Sequence, residues 1–310
     1  MPAEGLAWLP RAEMLTDDEF VRLAEVFVGL GIRSVRLTGG EPLLHRSLVG
    51  LVARLAALTP RPELSLTTNG IGLSRSAGDL VRAGLDRINV SVDTLDRERF
   101  RELTRRDRLD DVLAGLAAAA AAGLTPIKVN AVLIRGSNLA EAPALVDWAL
   151  RSGYQLRFIE HMPLDAQHAW SRAQMVTAEE MLGLLDEWYT LRPVGHGGPG
   201  GHAPAEEFEV VDGPRRGEWR TSPARVGVIA SVTRPFCRDC DRLRLTADGQ
   251  LRTCLFAQTE TDLRGPLRDG ADDEALRELI RAAVAGKQAG HGIDSATFVQ
   301  PMRPMSAIGG

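Results

Sequence analysis

The 310-residue sequence predicts an α/β fold in two parts: parallel strands in a partial barrel or open doubly wound sheet, then a smaller mixed unit carrying a metal. Three observations predict it. Short β-branched runs alternate with amphipathic helical stretches through the first half. That texture ends at His161-Met162-Pro163, beyond which come shorter strand-like runs, a Gly/His/Pro-rich loop and a late helix. The only cysteines, Cys237, Cys240 and Cys254, crowd into one arginine-rich stretch.

The elements follow in order. Helical periodicity first appears over 17–30, where Thr16 and Glu19 have the spacing of a capping box. Strands are predicted over 34–38, 63–69, 87–93, 126–133 and 155–160, separated by helices over 48–57, 77–83, 109–122 and 141–152. Strands alternating with helices imply a parallel sheet with right-handed crossovers. Five strands are too few to close an eight-stranded barrel. The array opens on a helix, so a strand is expected to be missing upstream. Beyond residue 165 come a helix over 177–188, a loop over 195–204, strand-like runs over 207–211 and 225–231, and a helix over 272–285. The predicted domains are therefore 1–165 and 166–310. The tail from Gln300 to Gly309-Gly310 carries one charge, Arg303; it either frays as termini do or threads into a pocket.

Two residues between Cys237 and Cys240 let both thiolates face one ion. The runs 242–246 and 250–254 predict a hairpin about Asp248-Gly249, which returns Cys254 to the pair. Neighbouring guanidiniums favour the thiolates. Two centres satisfy this spacing: zinc completed by a distant histidine such as His202 or His291, or an iron–sulfur cluster with one position open to an outside ligand. An odd cysteine count and the lack of a secretory segment argue against a disulfide.

Composition bounds the function. Hydrophobic content of 44% and charged content of 25% are those of a soluble globular protein. A net charge of −4 and pI near 5.9 argue against general nucleic-acid or membrane-surface binding. No apolar run reaches spanning length and no signal segment is legible, which predicts a cytoplasmic protein. Of the 37 basic residues only Lys128 and Lys287 are lysines, and there are four asparagines. A lysine or asparagine retained under such a bias does something its common substitute does not; Lys128, Asn69, Asn89 and Asn130 all fall at predicted strands. An α/β sheet binds ligands at its strand ends. Arg36-Leu-Thr38-Gly39-Gly40-Glu41-Pro42 sits there, as do Thr67-Thr68-Asn69-Gly70, Asn89-Val-Ser91-Val-Asp93, Lys128-Val-Asn130 and Glu160-His161-Met162. Singly each is a turn or a cap; five in register outline a ligand site.

Thr38-Gly-Gly-Glu-Pro42 is similar to the S-adenosylmethionine-contacting motif of radical S-adenosylmethionine enzymes. With Cys237-x2-Cys240-Asp-Arg242-Leu-Arg244-x9-Cys254 and Gly309-Gly310, the chain resembles the GTP 3′,8-cyclase family of molybdenum cofactor biosynthesis over essentially its whole length. The resemblance implies an incomplete (β/α)6 TIM-like barrel, here lacking its first strand. It implies that Gly40, Ser91 and Met162 line the S-adenosylmethionine pocket, with Glu41 near the amino group. Arg36, Thr67, Lys128, Arg242, Leu243 and Arg244 would bind GTP, with Arg157 a further candidate for its phosphates. Cys237, Cys240 and Cys254 would hold a 4Fe–4S cluster whose open iron meets the guanine. Gly309 and Gly310 would reach into the active site, assisted by Arg303. The implied reaction converts GTP to (8S)-3′,8-cyclo-7,8-dihydroguanosine 5′-triphosphate. An electron donor and a pyranopterin monophosphate synthase that receives the product are the implied partners, and the protein would be a monomer or homodimer.

The family chemistry also uses a second 4Fe–4S cluster, on an N-terminal C-x3-C-x2-C motif, to release a 5′-deoxyadenosyl radical from S-adenosylmethionine. This sequence contains no such motif and opens Met1-Pro2, the pair that follows the third cysteine in relatives. Either the natural start lies upstream, or the chain is a truncated, non-catalytic GTP- and metal-binding remnant. A missing interior strand predicts that these 310 residues alone are poorly soluble and inactive.

Overall fold

In the computed structural model, which describes residues 9–196, 204–288, 290, 292–293 and 298–309, the alternating pattern folds as one eight-stranded sheet with a separate three-stranded one. Helix α1 (Asp17–Gly29) leads to β1 (Ser34–Leu37), α2 (Leu48–Ala56), β2 (Glu63–Thr68), α3 (Leu73–Arg82) and β3 (Arg87–Ser91). Next come α4 (Arg97–Thr104), α5 (Leu109–Ala121), β4 (Ile127–Leu133), α6 (Ala142–Ser152) and β5 (Gln155–Glu160). The second half holds α7 (Ala178–Asp186), β6 (Thr190–His196), β7 (Glu206–Asp212), β8 (Arg225–Ile229), β9 (Arg244–Leu245), β10 (Gln250–Arg252) and β11 (Thr261–Asp262). Helices α8 (Arg264–Arg268), α9 (Asp273–Ala285) and α10 (Met305–Ile308) complete the chain.

The large sheet has the order β1-β2-β3-β4-β5-β8-β7-β6. Strands β1 to β5 and β8 run parallel, whereas β7 and β6 return antiparallel. The sheet thus crosses residue 165: β8 pairs directly with β5, Arg157 facing Gly227. At the other end, β1 has β2 as its one strand partner among the described residues.

Register divides the sheet into two faces. Leu64, Leu66, Ile88, Val90, Val129, Ala131, Leu156 and Phe158 are buried in the main core with Val52, Leu55, Leu80, Leu116 and Leu145 of the helices. The alternate positions are polar and stand side by side: Arg36 beside Ser65, Thr67 beside Asn89, Asn89 beside Lys128, Asn130 beside Arg157. A parallel sheet covered on both faces reads as continuous apolar runs. This one alternates, so its second face lines a space for something polar.

A second core joins the two ends of the chain. Leu15, Leu23, Val26 and Phe27 pack with Leu251, Leu263, Leu267, Leu276 and Ile280, while Ala24 of the same α1 belongs to the main core. The capping box at Thr16 and Glu19 forms as the spacing predicts. Arg268 then ties the junction, donating to Glu19 Oε1 at 2.7 Å and to the carbonyls of Ala12 and Met14 at 2.8 and 2.9 Å.

Beyond the short elements β11, α8 and α10, three elements differ from the sequence expectation. Helix α4 has one buried residue, Phe100, and so no apolar periodicity; Asp96 caps it by accepting from Arg99 N at 2.8 Å. Strand β6 is an exposed edge containing Pro193, a residue that only an edge tolerates. Helix α3 begins at Leu73, ahead of the predicted 77, after Gly72 at φ +90°. Among the described residues no helix is long and apolar enough to cross a membrane.

Candidate active site

The polar face is cationic. Arg157, buried on β5, donates from Nε to Asn130 Oδ1 at 3.0 Å and from Nη2 to Asn89 Oδ1 at 3.1 Å. Burial, then the charges of Arg36 and Arg87, bring it down to about 10. Lys128 on β4 is brought down to about 8 by burial and by Arg157, Arg87 and Arg36. Arg244 on β9 falls to about 10 through burial and the charges of Arg242 and Arg36. The nearby acids are already taken: Glu63 by Arg87 at 2.6 Å and Glu207 by Arg225 at 2.8 Å. Among the described residues, none of Arg36, Lys128, Arg157, Arg242 or Arg244 forms an ion pair with a carboxylate. Like charges held together at low dielectric destabilise one another, and a polyanion would relieve them.

The predicted hairpin forms. Strands β9 and β10 pair with Arg244 opposite Arg252, and Gly249, at φ +78°, closes the turn with its N–H on Thr246 O at 2.9 Å. Arg252 is buried and organises the loop after Cys254, donating to Ala257 O at 2.5 Å and pairing with Glu260. Phe256 N donates to Cys254 Sγ at 3.4 Å. Cys237 opens a tight turn closed by Cys240 N on Cys237 O at 3.2 Å. Burial pushes the Cys240 thiol up, but the Arg242 charge and hydrogen bonds outweigh it and the net direction is down. Arg242 lies over the Phe236 ring at 4.9 Å. Lys287 Nζ donates to Arg242 O at 2.8 Å and lies 3.8 Å from Cys240 Sγ.

None of the three cysteines is in a disulfide. Among the described residues, no three Cys, His, Asp or Glu side chains come close enough together to hold a metal ion. Arg244 feels the charges of both Cys240 and Cys254, and Cys254 Sγ accepts a backbone N–H, a kind of contact that tunes sulfur ligands where a cluster is bound. His202 and His291, the expected fourth ligands of a zinc alternative, lie outside the described residues, as does Gly310.

At the rim, the loop after β1 meets the tail. The Glu41 carboxylate accepts from Thr68 Oγ1 at 2.6 Å, Leu43 N at 3.0 Å and Asn69 N at 2.8 Å. It is a strut between the ends of β1 and β2. Arg303 clamps Asp248 through Nη1 at 2.9 Å and Nη2 at 2.8 Å, with Glu260 at 2.9 Å. Its guanidinium pins the tail to the hairpin turn. Farther along, Met305 N donates to Leu164 O at 2.9 Å, and Gly309 O accepts from Arg244 Nη1. Gly309, at φ +77°, sits so close to the β1 loop that a Cβ would lie 2.6 Å from Thr38 Cγ2.

Arg36 lies within electrostatic reach of Lys128 and Arg157 on one side and of Arg242 and Arg244 on the other, with Thr67 joined through Asn89 Nδ2 at 3.2 Å. Leu243 packs on the second core beside them. Met162 and Cys254 flank one small cluster, with Met305 of the tail. Gly40 and Ser91 lie exposed at the ends of β1 and β3. Sequence reasoning gave no role to Asn89 or Asn130 as holders of Arg157, although the rarity of asparagine marked both. Glu160, which the sequence placed at the ligand-binding strand ends, is a fully buried carboxylate that accepts from Ala178 N, Val232 N and Thr233 N at 2.8, 2.7 and 2.9 Å, tying the end of β5 to α7 and to the loop after β8.

Two family profiles match the chain: Radical SAM superfamily over residues 5–149, and Molybdenum Cofactor Synthesis C over residues 154–293. A GTP 3′,8-cyclase of Streptomyces coelicolor is 60% identical over 311 aligned positions, covering 100% of this chain and 88% of that protein. A GTP 3′,8-cyclase of Mycolicibacterium smegmatis is 56% identical, and GTP 3′,8-cyclase 2 of Mycobacterium tuberculosis 55%; each alignment covers 100% of this chain and 84% of the relative.

Proposed function

The chain belongs to the GTP 3′,8-cyclase family of radical S-adenosylmethionine enzymes, and on that premise we propose that its polar sheet face binds GTP for 3′,8-cyclisation, yielding (8S)-3′,8-cyclo-7,8-dihydroguanosine 5′-triphosphate. One observation carries this reading: Arg36, Lys128 and Arg157 on three strands and Arg242 and Arg244 on the hairpin form a chain of coupled cations, and among the described residues none of them is ion-paired with a carboxylate. Arg36, Lys128 and Arg157 take the triphosphate, the arginines as forked donors and the lysine as a point charge. Arg242, Leu243 and Arg244 hold the nucleotide from the hairpin side, and the Thr67 hydroxyl completes the polar wall. A 4Fe–4S cluster on Cys237, Cys240 and Cys254, when bound, supplies an iron with an open position for the guanine. Gly40, Ser91 and Met162 line the neighbouring S-adenosylmethionine pocket, and Glu41 keeps its loop in place. Gly309, bonded to Arg244 and packed on Thr38, closes the rim against water, with Gly310 beyond it.

The proposed framework is an incomplete (β/α)6 barrel lacking its first strand, which β1's having one strand partner among the described residues supports. A division into 1–165 and 166–310 belongs to the same proposal; β8 carries the barrel sheet across that boundary and α1 shares the core around the hairpin. The reading places the enzyme in the cytoplasm, served by an electron donor and handing its product to a pyranopterin monophosphate synthase. All three cysteines belong to the hairpin, so the ligands of the S-adenosylmethionine-cleaving cluster are not among these 310 residues. That inventory favours a second reading for these 310 residues by themselves, GTP and metal binding without turnover. Calorimetry with GTP tests the shared premise: Arg36→Ala and Arg244→Ala should each weaken binding by about ten- to hundredfold, and a chain that ignores GTP refutes both readings. Anaerobic incubation with GTP, S-adenosylmethionine and a reductant separates them, because only the first yields 5′-deoxyadenosine.

A further inference from the structure

Arg157 is held in an unusual manner for a buried arginine. On the strand beside it, register sets Gly227 opposite. Gly227 is not among the residues at positive φ, so backbone freedom does not explain the glycine. Space does. A Cβ at that position would lie 2.9 Å from Arg157 Cγ, 3.6 Å from Cδ and 3.2 Å from Ala205 Cβ. The missing side chain of β8 is the slot in which the arginine stem lies.

The head is gripped by two amides. Asn130 Oδ1 accepts from Nε and Asn89 Oδ1 from Nη2, and Asn89 Nδ2 in turn donates to Thr67 Oγ1, which orients that amide with its oxygen toward the arginine. Two of the chain's four asparagines are used here, in a sequence with 41 Asp and Glu. A carboxylate at either position would grip at least as firmly, because charge-assisted bonds are the stronger ones. It would also neutralise the guanidinium. The acid whose charge Arg157 feels, Glu207, is engaged by Arg225 at 2.8 Å. Among the described residues, Nε and Nη2 are the guanidinium nitrogens with hydrogen-bond partners, and none is a carboxylate.

We propose that Gly227, Asn89 and Asn130 are positioning residues that fix Arg157 while leaving its charge intact, and that this neutral grip fits the site to a polyphosphate. The proposal rests on the GTP-site reading for its natural ligand, but its chemistry is that of an immobilised, un-neutralised guanidinium and can be probed with inorganic triphosphate. Calorimetric binding of triphosphate and of GTP would be compared across the unmodified chain, Asn130→Asp, Asn89→Asp and Gly227→Ala, alongside thermal melting.

The two Asp variants should keep or gain thermal stability while losing triphosphate affinity by about ten- to hundredfold. They should also show a flatter dependence on ionic strength, since one cation has been cancelled. Gly227→Ala should weaken binding by displacing the arginine, with an unchanged salt slope. A purely structural role for the amides would leave the salt slope of the Asp variants untouched. Unaltered triphosphate affinity in both Asp variants overturns the proposal, and so does an unmodified chain that binds neither anion. Losses seen with triphosphate in a chain that does not bind GTP would uphold the grip and refute the nucleotide reading.

Discussion

Lys128 sets binding against stability at a single side chain. Burial and three guanidiniums bring it down from 10.5 to about 8. Between those two values the unfolded chain holds the proton more tightly, so this residue's contribution to stability rises with pH across that window. Binding runs the other way, because the ammonium needed by a polyphosphate is lost above pH 8. GTP affinity measured calorimetrically should therefore fall between pH 7 and pH 9, and Lys128→Met should flatten that change. The same substitution removes a poorly solvated charge and should raise Tm by about 2–4 °C. Gly309 offers a second single-residue test. Gly309→Ala places a methyl against Thr38 at an unfavourable φ, a cost of about 1–2 kcal/mol, so the tail should leave the rim and become sensitive to protease while the sheet melts as before. Residue identities at this scale were legible wherever chemistry depends on type: cysteines, arginines and the rare lysines and asparagines stood out. Direction was not legible. Glu41 and Arg303 turn toward partners 27 and 55 residues away, and a sequence window shows no such bond.

At the scale of elements, the cysteine hairpin depends on a buried arginine rather than on its short ladder. Arg252 reaches forward to Ala257 O and Glu260, and Arg303 of the tail shares Glu260 while clamping Asp248 at the turn. Arg252→Leu should cost about 2–4 kcal/mol by orphaning those acceptors. Iron bound per chain after anaerobic reconstitution should drop with it, while far-ultraviolet dichroism of the main sheet stays intact; full iron loading would contradict this role for Arg252. The hairpin was readable because Asp248-Gly249 separates two β-like runs. Strands β1 to β5 were readable through alternation. Helix α4 and strand β6 were hidden because neither buries an apolar stripe: one is anchored by Phe100 alone, the other is a solvent-exposed edge. Strand β8 was found as a run, but its place beside β5 depends on a crossover through α7, β6 and β7 that local pattern does not encode.

At the scale of the molecule, α1 is the hinge pin between two cores. Glu19 is brought down to about 2, chiefly by its hydrogen bond from Arg268. A depressed carboxylate stabilises above its unfolded value of 4.5 and ceases to do so as pH falls through 2. Glu19→Gln should therefore lower stability by about 1 kcal/mol near neutrality, Arg268 being part-exposed and its charge screened, and the difference from the unmodified chain should vanish near pH 2 in thermal melts. That closure has a consequence during synthesis. The apolar stripe of Leu23, Val26 and Phe27 leaves the ribosome early, whereas its partners up to Ile280 come last. At 5–20 residues per second, the 249 residues between Glu19 and Arg268 correspond to about 10–50 s. For that interval the nascent chain carries an uncovered greasy helix, a natural client for a chaperone stationed at the exit tunnel. An arrest-peptide force profile should accordingly record its last pulling event only after Ile280 has emerged.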